Sequence, residues 1–172
     1  MGSEMCIRDS TDEDVDWIAS IGRRVQHTAG DVLIRQGEPI NALMFVLDGN
    51  VSVQIEGVGQ VASLGSGEIL GEMSLVDEAP PSATVVVNQP TNVLHIDRDL
   101  LNAKIESDTA FAARLFRAIA MFLSIRMRST VQRLGYGKAT VSTDDELDMA
   151  LLDSVTVAGG RFDRLVKKLL TA

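Results

Sequence analysis

The chain has little of several residue types that small proteins use to organise chemistry. It carries one cysteine, Cys6, and two histidines, His27 and His95, in 172 residues. A single thiol excludes an internal disulfide framework and fits a reducing, cytoplasmic setting. So few histidines and cysteines leave no cluster of the kind that builds a zinc or copper site, and no metal is expected. Aromatic residues are only 4% of the chain. No apolar run approaches the roughly 20 residues of a membrane span; Ala118 to Ile125, the longest uncharged part of the late helical stretch, is bounded by Arg117 and Arg126. Positive charge is also scarce: 24 acids against 16 Lys and Arg give a net charge of −8. That sign opposes a general nucleic-acid surface. Neither nucleic acid nor a membrane is an expected partner.

What is present suits a globular domain with one core: 45% hydrophobic and 23% charged residues. Residues 1–10 mix Glu4, Arg8 and Asp9 without an apolar segment and read as a leader outside the fold. Residues 11–134 read as the domain, and 135–172 as a linker with a helical tail. The domain opens with a short helix over Thr11 to Ile21, capped by Ser10 or Thr11 and stopped by Gly22. Arg23–Thr28 alternates poorly, and short strand patterns follow at Val32–Ile34, Ala42–Leu47, Asn50–Ile55, Gln60–Leu64, Ala83–Asn88 and Asn92–Ile96. Asp48-Gly49 between two of them predicts a type I′ hairpin, whose central residues both need positive φ. Seven or eight short strands without long helical crossovers predict a sandwich or barrel.

After Asp97, a capping residue, helical periodicity returns through Leu100, Leu101 and Ile105. Ser107 or Asp108 then starts a long helix reaching about Leu134. Phe111, Leu115, Ala118, Phe122 and Ile125 form one row on it, and Phe116, Ile119 and Leu123 a second. A stripe that wide suits either simple burial on the domain or contact with a second subunit. In the tail, Asp144–Leu152 is one helix candidate, and Phe162, Leu165, Val166, Leu169 and Leu170 mark another.

The segment richest in chemistry runs from Gly65-Ser66-Gly67-Glu68-Ile69-Leu70-Gly71-Glu72-Met73-Ser74-Leu75 to Pro80-Pro81-Ser82-Ala83-Thr84-Val85. Backbone amides in a glycine-rich turn entering a helix can converge on an anion. Glu72 beside them is a poor neighbour for phosphate but a good acceptor for sugar hydroxyls. A plain β–turn–β connection explains the same glycines. Met73 and Leu75 read as core side chains. No serine has a histidine–acid pairing, so catalysis is not expected. His27 and His95 lie in separate strand segments and read as surface or satisfied strand residues.

This segment resembles the phosphate-binding cassette of the cyclic nucleotide-binding domain family. The similarity covers most of Asp31 to Leu134, including Asp31-Val32-Leu33-Ile34, Gln36-Gly37-Glu38 and the strands around Asp48-Gly49. The resemblance implies a mainly β fold: a double-stranded β-helix (jelly-roll) barrel with a short N-terminal and a long C-terminal helix. It implies cyclic AMP or cyclic GMP as ligand and no resident cofactor. Gly71, Met73 and Ser74 would then supply amides to the phosphate and Glu72 would accept from the ribose 2′-hydroxyl. Ser82, Ala83 and Thr84 would close the opposite side. The family's phosphate-pairing arginine falls at Pro81, and no Lys or Arg lies between Arg35 and Arg98. Arg126 or Arg128 on the long helix would serve as lid or substitute cation. Phe111, Leu115, Phe122 and Ile125 would form a homodimer seam. The expected function is a non-catalytic cyclic-nucleotide sensor, against a ligand-free dimerisation scaffold of the same fold. A winged-helix regulator is disfavoured by the acidic run Asp144, Asp145, Glu146 and Asp148.

Overall fold

In a computed structural model, residues 12–133 are described. The leader 1–10, the caps Ser10 and Thr11, and the tail 135–172 with its two helix candidates lie outside the described residues. The elements are α1 (Asp12–Ile21), β1 (Arg23–His27), β2 (Val32–Ile34), β3 (Ala42–Asp48), β4 (Asn50–Ile55), β5 (Gly59–Gly65), β6 (Ile69–Leu70), α2 (Glu72–Asp77), β7 (Thr84–Val87), β8 (Thr91–Asp97), α3 (Arg98–Ser107) and α4 (Thr109–Arg133). The strands form two four-stranded sheets with orders β1-β8-β3-β6 and β2-β7-β4-β5. Each strand pair is antiparallel. This is the jelly-roll with flanking helices that the resemblance implied.

Strand alternation divides the core into two layers. Met44, Val46 and Val93 of the first sheet meet Ile34, Val51, Leu64, Val85 and Val87 of the second between the sheets. Leu43, Leu47, Leu94 and Ile96 point to the opposite face, where Leu75, Leu101, Phe111 and Ile119 cover them. Trp17 of α1 meets the Phe111 ring edge-on, with centroids 5.2 Å apart. A two-point ion pair holds α1 to α4: Arg114 Nε and Nη2 donate to Asp14 Oδ2 and Oδ1 at 2.7 and 2.8 Å. Asp97 caps α3, accepting from the Asp99 and Leu100 amides at 2.9 and 3.1 Å. Asp108 accepts from Phe111 N at 2.9 Å, at the start of α4.

The hairpin expected at Asp48-Gly49 is corrected. β3 and β4 lie in different sheets, so this dipeptide turns a corner between layers rather than pairing its neighbours. Gly49 alone of the two has positive φ, 105°. A Cβ there would run into the side chain and Cα of Thr91, so glycine is demanded by close approach as well as by φ. The true local hairpin is β4–β5, turned through Gly57. The two-residue strand β6 was not anticipated. It pairs Ile69 and Leu70 with Phe45 and Met44 and delivers the chain to the glycine-rich turn.

Candidate ligand-binding site

β6 ends at Leu70, and Gly71 follows with φ 84°, in the left-handed region. A Cβ at this position would sit 2.7 Å from Ile40 Cδ1 and 3.0 Å from the Ala42 carbonyl oxygen. Only glycine fits both the dihedral and the space. Gly71 is the N-cap of α2 and offers no side-chain cap to its first turn, whose amides have no intrahelical acceptors. The six-residue helix then sorts its side chains by its period. Glu72 and Leu75 turn inward, while Met73 and Val76 point out, 52% and 53% exposed. The expectation of Met73 as a core side chain is thus corrected, because it lies one helical step from the buried pair. Ser74 is buried, and its carbonyl accepts from Arg98 Nη2 at 2.8 Å.

Glu72 is 3% exposed. Its Oε1 accepts from Arg126 Nη1 at 2.7 Å. Arg126 Nη2 also donates to Glu68 Oε2 at 2.7 Å and to the Ile69 carbonyl at 2.9 Å. Arg126 Nε is buried with no hydrogen-bond partner among the described residues. Burial pushes the Glu72 carboxyl above the usual range; the Arg126 charge and a backbone amide hydrogen bond oppose that rise, and the Glu68 carboxylate adds to it. One guanidinium from α4 therefore spans two carboxylates and a carbonyl around the glycine turn. Of the two arginines singled out in the sequence, Arg126 occupies the site and Arg128 is exposed. An anion would compete with both carboxylates for Arg126.

The other candidate residues lie at the entry to β7. The Pro81 carbonyl accepts from Gly37 N at 2.8 Å, and Thr84 Oγ1 accepts from Gln36 N at 3.1 Å. Ser82 is exposed and Ala83 half-buried. Two open hollows lie elsewhere: one of about 540 Å³ beside Ile40, Met44 and His95, another of about 650 Å³ reaching Thr84 from Gln36 and Gln54. Glu72 lines neither.

The row expected to form a dimer seam is largely committed to the chain's own core. Phe111 is 2% exposed, and Leu115 and Phe122 pack on the same cluster, so Phe111 has no surface to offer a second copy. Among the described residues of α4, the large exposed apolar side chains are Phe116, Ile125, Met127 and Val131. Sequence reading also missed a contact between the two histidines. Antiparallel pairing of β1 with β8 brings His27 Nε2 to 3.1 Å from His95 Nε2. No group of three or more metal-ligating side chains occurs among the described residues. Among those residues, no helix is long and apolar enough to cross a membrane.

Comparison with known proteins agrees with this fold. Residues 24–108 match the family described as cyclic nucleotide-binding domain. Glutaminase 2 of Bradyrhizobium diazoefficiens is 28% identical over 127 residues, 74% of this chain and 20% of that protein. The crystal structure of a cyclic nucleotide-binding domain from Methylobacillus flagellatus superposes with a TM-score of 0.67 at 27% identity, covering 77% of this chain and 78% of that one. The regulatory domain of Toxoplasma gondii PKA, co-crystallised with cAMP, gives a TM-score of 0.51 at 28% identity over 56% of this chain and 39% of that one. The chain spans 25%, 20% and 7% of the first three curated relatives it matches.

Proposed function

The chain belongs, through residues 24–108, to the cyclic nucleotide-binding domain family, and from that premise we propose that it is a regulatory module in which a cyclic nucleotide releases the far half of α4. The observation that carries this reading is the buried Glu72 carboxylate held by Arg126. A ribose hydroxyl donating to Glu72 would enter where the Arg126 guanidinium now covers that carboxylate, and would compete with it. The amides of Gly71, Met73 and Ser74 would receive the cyclic phosphate, with Ser82, Ala83 and Thr84 on the far side. The plug is removable because it is a single long side chain, 31% exposed, rather than packed core. Ligand entry and detachment of α4 are then one event. Such coupling needs the ligand to favour one helix arrangement over the other. The residues assigned here bind and transmit, and none is given a catalytic role.

Titration calorimetry with cAMP and cGMP tests the proposal. The parent protein is expected to bind weakly, since Pro81 offers the phosphate neither charge nor N–H. Pro81→Arg is expected to tighten binding by about ten- to a hundredfold, the worth of one charge-assisted contact of about 1.5–3 kcal/mol. Absence of heat from both proteins would remove the sensor reading.

A second reading is favoured by the same ion pair: with Glu72 already satisfied by the chain's own arginine, the fold can serve as a ligand-free scaffold. The exposed Phe116, Ile125, Met127 and Val131 would then join two copies. Sedimentation separates the readings, because a concentration-independent monomer is incompatible with that seam.

A further inference from the structure

The short helix α2 has an outer face that neither the core nor the candidate site uses. Met73 and Val76, three residues apart, are both about half exposed. Asp77 and Glu78 adjoin them, with Glu78 held in the left-handed region at φ 58°. The Arg98–Ser74 hydrogen bond brings the start of α3 against α2, and Leu100 two residues on is 50% exposed. The surroundings are acidic, for the chain has no Lys or Arg between Arg35 and Arg98 but places Glu68, Glu72, Asp77, Glu78 and Asp97 there.

The complementary pattern occurs once more in the same sequence. Residues 161–170 place Phe162, Leu165, Val166, Leu169 and Leu170 at helical spacing. Arg161, Arg164, Lys167 and Lys168 lie between them, against the single acid Asp163. The route is short enough. Arg126 contacts Glu72 at the start of α2, and α4 ends at Arg133, about 10 Å further along at the helical rise. A connecting stretch the length of residues 134–160 has a typical end-to-end distance of about 30 Å as a flexible chain.

We propose that residues 161–170 dock on the outer face of α2 in the same chain. Their apolar row would cover Met73 and Val76, and their basic residues would face Asp77 and Glu78. The inference does not depend on a nucleotide entering the site, since it uses the exposed side chains of Met73 and Val76 and not the buried Glu72 carboxylate.

Thiol cross-linking of the full chain tests it. In a Cys6→Ser background, Val76→Cys is combined with Leu165→Cys and treated with a short bismaleimide. The control combines Leu165→Cys with Val58→Cys, at the 72% exposed tip of the β4–β5 turn. Intrachain product from the first pair is expected to exceed the control by about tenfold or more, the signature of a raised effective concentration. Adding Lys167→Glu and Lys168→Glu, or raising the salt, should reduce that excess. Equal yields from the two pairs, or none from either, would overturn the proposal. A product joining two copies would overturn it too, by assigning the face to a second chain.

Discussion

His95 stands opposite Arg23 across the β1–β8 pair, partly buried, with its ring facing that of His27. The ring centroids are 5.3 Å apart while the Nε2 atoms are 3.1 Å apart, so the nitrogens meet nearly head-on. One must donate and the other accept, which requires a neutral ring. Burial, then the nearby His27 and Arg23 charges, depress the His95 pKa from 6.5 to about 4. A basic group with a depressed folded pKa binds fewer protons when folded. Stability is therefore fully present above the unfolded value of 6.5 and is lost as pH falls toward 4. The full shift corresponds to about 3 kcal/mol; partial exposure reduces this to about 1–2 kcal/mol. Urea titrations of His95→Gln from pH 7 to 4 should show a shallower loss of stability than the parent, and parallel curves would exclude His95 as the cause. Legibility at this scale followed distance along the chain. The turn at Gly71 and the helix start at Glu72 were readable because a glycine-rich bend before a helix start is a local pattern. The histidine contact was not, because 68 residues separate its members and it forms only when β1 pairs with β8 and the two side chains reach along one face. The choice of Arg126 over Arg128 likewise depended on which face of α4 meets the barrel.

α3 shows what local chemistry can specify. Its N-cap was evident because Asp97 precedes a helical period, and the carboxylate does accept from two first-turn amides. Asp97→Ala is expected to cost about 1 kcal/mol, seen as a lower urea midpoint with an unchanged slope; Asp97→Asn should restore most of it. Loss of less than a few tenths would mean that packing of Leu101 alone holds the helix. The β-elements were readable as segments but not as partners. β4 was predicted with its observed bounds from its alternation and flanking turns, yet the Asp48-Gly49 signal before it was assigned to a hairpin. The dipeptide marks a tight reversal, and only the packing of Thr91 against Gly49 converts that reversal into a corner. β6 is two residues long, too short for any periodicity to register.

Across the whole molecule, α4 is held differently at its two ends. Its first half is anchored by Phe111, Ile119 and the Arg114–Asp14 pair. Further along, Arg126 clasps the turn around Glu72, while Ile125, Met127 and Val131 remain exposed. Arg126→Gln should release the far half alone. A partly exposed ion pair at a buried carboxylate contributes about 1–2 kcal/mol here, so backbone hydrogen exchange over residues 124–133 should quicken by about tenfold. Residues 109–123, which pack on the core, should stay protected. Unchanged exchange beyond Leu123 would mean that Arg126 restrains nothing.

The sheet orders carry one more consequence, for biosynthesis. β7 and β8 lie inside their sheets, between β2 and β4 and between β1 and β3, yet among the described residues they are the last strands to be made. A nascent chain that has emerged only as far as Pro81 holds two sets of strands without their middles, their open edges exposed to any neighbouring strand. Assembly must wait for the ribosome to release Asp97, whereupon both layers close within a few residues of synthesis. Pauses in translation that hold residues 84–97 still within the ribosome are therefore the point at which this domain is most exposed to misassociation.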